Sequence, residues 1–188
     1  MKYANIKKID EYVENQTMNK PIERGDFIQS THFTNIIFDH HLFTYCDFSN
    51  LIYEHCFFIK CSFYHCHFKD IDFLSNNLSG VEFIDCTFNN VSFHQNKLDY
   101  SNIQIKAKNT YWYENSIKDA YFQCNFNTSQ VISNDFSYSD LMKSKFNHID
   151  LSSNILNNAR ISIESLKHSK VSLEQGLAIL KLFDITIT

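Results

Sequence analysis

The sequence predicts an all-β solenoid, on three observations. A large apolar residue returns at every fifth position: Phe33, Phe38, Phe43, Phe48, Tyr53, Phe58, Phe63, Phe68, Phe73, Leu78, Phe83, Phe88, Phe93 and Leu98, with Ile103 extending the series. The position two before each of these centres is mostly small or apolar, as at Cys46, Leu51, Cys56, Cys61, Cys66, Ile71, Val81, Cys86 and Val91. The flanking positions are polar far more often, as in Cys46-Asp47-Phe48-Ser49-Asn50.

A period of five fits neither ordinary element. On a helix each step rotates the side chain by roughly 500°, or ~140° net, which smears the series around the cylinder. In one continuous strand an odd step sends alternate centres to opposite faces. The chain must therefore turn once per repeat, so that short extended pieces coil around an inner column of centres and pair from coil to coil.

These repeats resemble the pentapeptide-repeat family, whose consensus is a small residue, Asp or Asn, Leu or Phe, Ser or Thr, then any residue. The resemblance implies a right-handed quadrilateral β-helix with four repeats per coil. The C-terminal stretch adds a short helix and strand. Ser172-Leu173-Glu174-Gln175 reads as a capping box, Leu173, Leu177 and Leu180 follow at helical spacing, and Phe183 to Thr188 alternates like a strand. The whole tail from Val171 to Ile187 is similar to that of the topoisomerase-protecting branch of the family, the quinolone-resistance (Qnr) and microcin-immunity (McbG-type) proteins. That resemblance implies a non-catalytic rod that binds DNA gyrase or topoisomerase IV, partly as a DNA mimic, and counters a microcin or a quinolone. It also implies a homodimer joined through the tail, with Leu173, Leu177, Leu180, Phe183, Ile185 and Ile187 at the interface.

Taken in order, residues 1–27 are expected to cap the first coil, and Ile6, Ile9, Tyr12 and Val13 fall at helical spacing. Residues 28–166 are the repeat array, in two runs. Fifteen centres lead from Phe33 to Ile103, and eleven more from Tyr111 through Ser116, Tyr121 and Phe126 to Ile161. The step from 103 to 111 is one repeat plus three residues, so the segment 104–110 is expected to bulge outward. A tolerated surface loop accounts for such a bulge. Gln104, Lys106 and Lys108 beside Tyr111, Trp112 and Tyr113 also give it the composition of a recognition loop. Residues 167–188 form the dimerisation segment.

The formal net charge of −4 and the absence of a basic run argue against direct nucleic-acid binding. Acidic residues recur before the centres at Asp47, Asp72, Glu82, Asp135, Asp140 and Asp150. Turn chemistry explains them, and an acidic recognition face is the competing reading. A rod of ~31 Å would need ~18 negative charges to match duplex DNA, so mimicry must come from local clustering, shape or specific contacts.

The six cysteines, Cys46, Cys56, Cys61, Cys66, Cys86 and Cys124, all take the small inward position and read as core thiols. His55, His65 and His67 sit outward, so no zinc geometry forms with Cys56, Cys61 and Cys66. No catalytic constellation or cofactor motif is present, and an interior packed with Phe leaves no substrate cavity. With no apolar leader or spanning segment, the expected location is the cytoplasm, without membrane association. A scaffold for another protein is the alternative function, served by the outer residues Ile37, Leu42, Tyr45, Phe57, Ile59 and Tyr64.

Overall fold

In the computed structural model the chain coils as a parallel β-solenoid whose coil is twenty residues long. The structure describes Val13–Glu14, Thr17–Met18 and residues 27–182, with side chains over 32–181. The strands are β1 (Val13–Glu14), β2 (Thr17–Met18), β3 (Phe27–Thr34), β4 (Ile37–Asp39), β5 (Leu42–Thr44), β6 (Asp47–Glu54), β7 (Phe57–Ile59), β8 (Ser62–Tyr64), β9 (His67–Leu74), β10 (Glu82–His94), β11 (Asn102–Tyr113), β12 (Tyr121–Gln123) and β13 (Gln130–Ile132). A 3-10 turn at Ile163–Leu166 and helix α1 (Leu173–Leu182) complete the chain.

Each coil has four faces of one repeat each. Face 1 stacks Phe33, Tyr53, Phe73, Phe93, Trp112 and Val131; face 2 stacks Phe38, Phe58, Leu78 and their successors. Face 3 stacks Phe43, Phe63, Phe83, Ile103 and Phe122, and face 4 stacks Phe48, Phe68, Phe88 and Ala107. At the corners the backbone swings into the left-handed region, with φ of 56° at Asn35, 55° at His40, 56° at Tyr45 and 54° at Asn50. From Asn35 to Tyr100 one such residue per repeat, Gly80 among them, is the turn that the five-residue period demands, and it throws the next centre inward again.

The centres fill the interior. Phe63, Phe68 and Phe83 are all fully buried. Phe rings stack between coils at 4.5 Å for Phe43 and Phe63 and at 4.7 Å for Phe73 and Phe93. Rings on adjacent faces meet edge-on, as do Phe63 and Phe68. Stacked contacts along the axis and edge contacts across it are both favoured by the ring quadrupole. Lys69 is exposed as the repeat phase predicts, but Tyr64 is only half-exposed, because its hydroxyl donates to Glu82 one coil on at 2.6 Å.

The twenty-residue register reaches back to β1 and β2, where Val13 pairs with Phe33 and Thr17 with Ile37. Val13 is therefore extended, where the spacing from Ile6 suggested a helix, and the array begins before residue 28. Ile6, Ile9 and Tyr12 lie outside the described residues.

The larger correction is at 104–110, where the chain does not bulge. β11 runs unbroken from Asn102 to Tyr113 and pairs with β10 along its length. Opposite Ile84 stands Gln104, and opposite Cys86 stands Ile105, so Asp85 has no counterpart and one residue has been dropped. The stacked spacing falls from twenty at Phe83 and Ile103 to nineteen at Phe88 and Ala107, and returns to twenty at Asn125 and Lys145. Two repeats of four residues, Ile103 to Ala107 and Phe122 to Phe126, produce this, and both cut the same corner between faces 3 and 4. Asp85 turns that corner with φ of 52° in the coil before, whereas β11 passes it without any left-handed residue.

The centres after the cut are therefore Trp112, Ile117 and Phe122, not Tyr111, Ser116 and Tyr121. All three are completely buried, and the series rejoins the expected one at Phe126. Trp112 stacks on Phe93 at 4.2 Å and meets Phe122 and Phe126 edge-on, filling the room that Ala107 leaves on the neighbouring face.

Candidate functional site

Two kinds of place in this fold accept chemistry: the inner corner columns, where side chains face backbone, and the outer faces. The inner columns are structural. Asn76, Asn96, Asn115, Asn134 and Asn154 stand one above another before the face 2 centres, all buried. Each Nδ2 donates to a carbonyl one coil before, as Asn115 does to Phe93 at 2.9 Å. Each Oδ1 accepts from the backbone N–H one coil before, that of Cys56 for Asn76 and that of an asparagine for the others, as Asn115 does from the Asn96 N–H at 2.9 Å. The ladder satisfies corner groups that would otherwise be buried without partners. Its last member hands over to α1: the Gln175 amide donates to the Leu151 carbonyl at 2.9 Å and to the Asn154 carbonyl at 2.5 Å. Asn76 and Asn96 are visible in the sequence as polar residues at an inward position. A run of Asn at spacings of twenty, nineteen, nineteen and twenty residues is the signal that they form a ladder.

The six cysteines are likewise buried, and none is in a disulfide. The Cys56 thiol donates to the Phe33 carbonyl and the Cys61 thiol to the Phe38 carbonyl, both at 3.3 Å. Burial pushes both thiols up to about 11, well away from nucleophilic thiolate. His55, His65 and His67 are exposed, and among the described residues no three His, Cys, Asp or Glu gather as a metal-binding group.

On the outside, the residues expected to form a recognition loop are instead spread over the flat wall of β11. Lys106 and Lys108 are exposed on face 4, Gln104 is half-buried on face 3, and Tyr111 and Tyr113 are half-buried on face 1. Trp112 is fully buried and touches only core. Its indole N–H donates to the Thr110 hydroxyl at 3.1 Å, so it has no contact left to offer.

The six acidic residues do not share a face. Asp72 and Asp150 lie on face 1, Asp135 on face 2, Glu82 and Asp140 on face 3 and Asp47 on face 4. Local bonds explain most of them. Asp135 accepts from the backbone and hydroxyl of Ser137, Asp150 from those of Ser152, and Asp140 from the Met142 N–H. The Ser152 bonds hold the Asp150 carboxyl below the usual carboxylate range.

A different set does gather. Glu54, Asp72, Glu114 and Asp150 belong to face 1 and its corner, and from His32 to Ser153 that face carries no Lys or Arg. His32 lies 2.9 Å from Glu54 and His94 lies 3.8 Å from Glu114. The twenty-residue coil already places Glu54 on the face of Asp72, and the corrected coil length adds Glu114.

Of the proposed apolar patch, Ile37, Phe57 and Ile59 are exposed together on face 2, where Ile37 pairs directly with Phe57. Leu42 and Tyr64 belong to face 3, and Tyr45 stands at a corner with its ring stacked on His65 at 4.8 Å. At the other end, α1 begins with the expected capping box. Gln175 N–H donates to Ser172 Oγ at 3.1 Å, and its side-chain oxygen accepts from Ser172 N–H at 2.7 Å. Gln175 and Ile179 are buried against the last coil. Leu173 is 82% exposed and Leu177 is also exposed, while Leu180 is half-buried. Phe183, Ile185 and Ile187 lie outside the described residues. Among the described residues no helix is long and apolar enough to cross a membrane.

No family model and no curated protein matches the chain. Solved structures similar to it are of pentapeptide-repeat proteins. Trypsin-treated QnrB1, a plasmid-mediated fluoroquinolone resistance protein, shares 18% identity over 94% of this chain and 97% of that chain, with a TM-score of 0.35. HetL, a pentapeptide repeat protein involved in heterocyst differentiation regulation from the cyanobacterium Nostoc sp. strain PCC 7120, shares 12% identity over 86% and 85%, with a TM-score of 0.26. Rfr23 from the cyanobacterium Cyanothece 51142 shares 9% identity over 60% of each chain, with a TM-score of 0.30.

Proposed function

We propose that this chain is a non-catalytic rod that binds a bacterial type II topoisomerase, gyrase or topoisomerase IV, and protects it from a poison such as a microcin or a quinolone. The observation that carries the binding role is the filled interior. From Phe33 to Ile161 the centres are buried side chain on side chain, so what the molecule offers to others is its four walls and its end. The tail from Val171 to Ile187, similar to that of topoisomerase-protecting relatives, supports the choice of partner.

Face 1 supplies what the net charge does not. A wall with Glu54, Asp72, Glu114 and Asp150, and no Lys or Arg until Lys170 beside Asp150 at its end, presents one-sided negative charge to a surface built for DNA. The mimicry is local, confined to one wall of four. Dimerisation through the tail extends that wall. Leu173, Leu177 and Leu180 fall at helical i, i+4, i+7 spacing, away from the buried Gln175 and Ile179, as an apolar stripe for a second copy.

The test is association with purified gyrase holoenzyme in sedimentation, with and without competing duplex DNA. The reading expects a complex that DNA displaces. Failure to associate with either gyrase or topoisomerase IV contradicts it and favours a scaffold that uses Ile37, Phe57 and Ile59 for another protein.

A further inference from the structure

Some exposed cations of this rod are paired with carboxylates. Lys69 lies 4.0 Å from Asp70, Lys97 lies 3.9 Å from Asp99, Lys118 lies 3.0 Å from Asp135 and Arg160 lies 2.8 Å from Asp140. Over much of face 4 no carboxylate is at hand to do the same. Between Thr87 and His148 it carries no Asp or Glu, yet Lys106, Lys108 and Lys145 stand exposed on it. Lys143 sits on the corner leading into it, 5.9 Å from the centre of the Tyr121 ring. Among the described residues none of these four amines has a carboxylate within 4.0 Å. Below them a groove of about 530 Å³, lined by Lys143, Lys145, Asn147, Ser162, Glu164 and Lys167, continues the strip to the last coil, where Lys167 is paired with Glu164 at 2.6 Å and closes the strip.

From this we infer that face 4 is a binding site for an acidic peptide segment of a protein partner, lying extended along the rod axis. Lys106 and Lys145 are two coils apart in one column, ~10 Å, and Lys108 and Lys167 are three coils apart in another, ~14 Å. An extended chain covers ~10 Å with about three residues and ~14 Å with about four, so an acidic segment has a carboxylate available at each interval. The strip is too short and too closely flanked for a duplex. Duplex DNA of ~14 Å carries ~8 negative charges, and around the next corner those charges meet Glu114 and Asp150 on face 1. A short peptide stays within one wall and avoids that repulsion. The inference holds for the rod itself, whichever protein it serves.

The experiment titrates the full-length protein with a labelled, end-capped oligoglutamate of about eight residues, a length that overhangs the strip at both ends. An oligothymidylate of about the same length runs in parallel, both at low salt. We expect saturable peptide binding that salt weakens. The double variant Lys106→Glu/Lys145→Glu weakens it about tenfold or more, since each reversal turns an attraction into a repulsion. The variant Lys60→Glu/Lys97→Glu on face 2 has the same net charge and leaves binding unchanged. Unaltered circular dichroism and melting show that both variants fold. Equal weakening by both variants, tighter binding of the oligothymidylate, or no peptide binding each overturns the site. No topoisomerase enters the assay, so its failure is distinct from failure of the protection reading.

Discussion

An asparagine in this protein bonds two coils at once, and that is where single residues matter most. Asn115 satisfies the Phe93 carbonyl, the Asn96 N–H and its neighbours in the ladder with one buried amide. Replacing it by Leu keeps the volume but strands at least two buried backbone groups, at a cost of about 2–4 kcal/mol, read as a lower denaturant midpoint. Deleting a core ring acts differently: Phe68→Ala loses burial and opens a cavity, costing about 3–5 kcal/mol. The thiols carry a pH dependence with a definite sign. Burial raises Cys56 and Cys61 from 9.0 to about 11, so the folded state prefers the protonated thiol. Below pH 9 that preference is fully present as stability, and it declines between pH 9 and 11 as the unfolded chain ionises first. A denaturation series across that window should show the decline, and Cys56→Val/Cys61→Val should make it shallower, Cys66 and Cys124 being raised as well. At neutral pH none of the six cysteines should react with a thiol reagent until the protein unfolds.

At the scale of the element, the five-residue period made the strands, corners, inward thiols and buried Phe column legible before any coordinates. The capping box of α1 was legible too, because Ser172 and Gln175 satisfy each other locally. The cut corner was not. A step of eight residues between Ile103 and Tyr111 reads equally as three residues inserted or, with centres at Ala107 and Trp112, as one removed. An Ala centre carries little apolar signal, whereas exposed Lys106 and Lys108 look like loop composition. Only strand pairing decides, and it places Trp112 where a Phe would stand. The two readings differ in test. If 104–110 protruded, removing three of its residues would restore the register and leave the fold intact; as a core strand the same deletion should unfold the protein or expose Trp112. Wild-type Trp112 emission should be blue-shifted and resistant to a soluble quencher, and a solvent-exposed spectrum would contradict the stacking on Phe93.

The molecule as a whole is four walls around a solid core, and each wall has its own character. Face 1 is acidic, face 4 is basic where its carboxylates run out, and face 2 begins apolar at Ile37, Phe57 and Ile59. None of this follows from composition, since a net charge of −4 averages the walls, and the acidic residues singled out by their place in the repeat scatter over all four. The charge pattern emerges only when the sequence is wound on a coil of twenty residues that shortens to nineteen. The exposed stripe of Leu173, Leu177 and Leu180 belongs to this scale as well: the intact protein should sediment as a dimer at micromolar concentration, and Leu173→Glu/Leu177→Glu should sediment as a monomer with an unchanged solenoid spectrum. The most direct measurement of the central claim is gyrase supercoiling in the presence of a quinolone or a microcin, with this protein titrated in. Protection should rise with concentration and be lost on Glu54→Lys/Asp72→Lys/Glu114→Lys; supercoiling that stays inhibited at every concentration, for gyrase and for topoisomerase IV in its own assay, would contradict it.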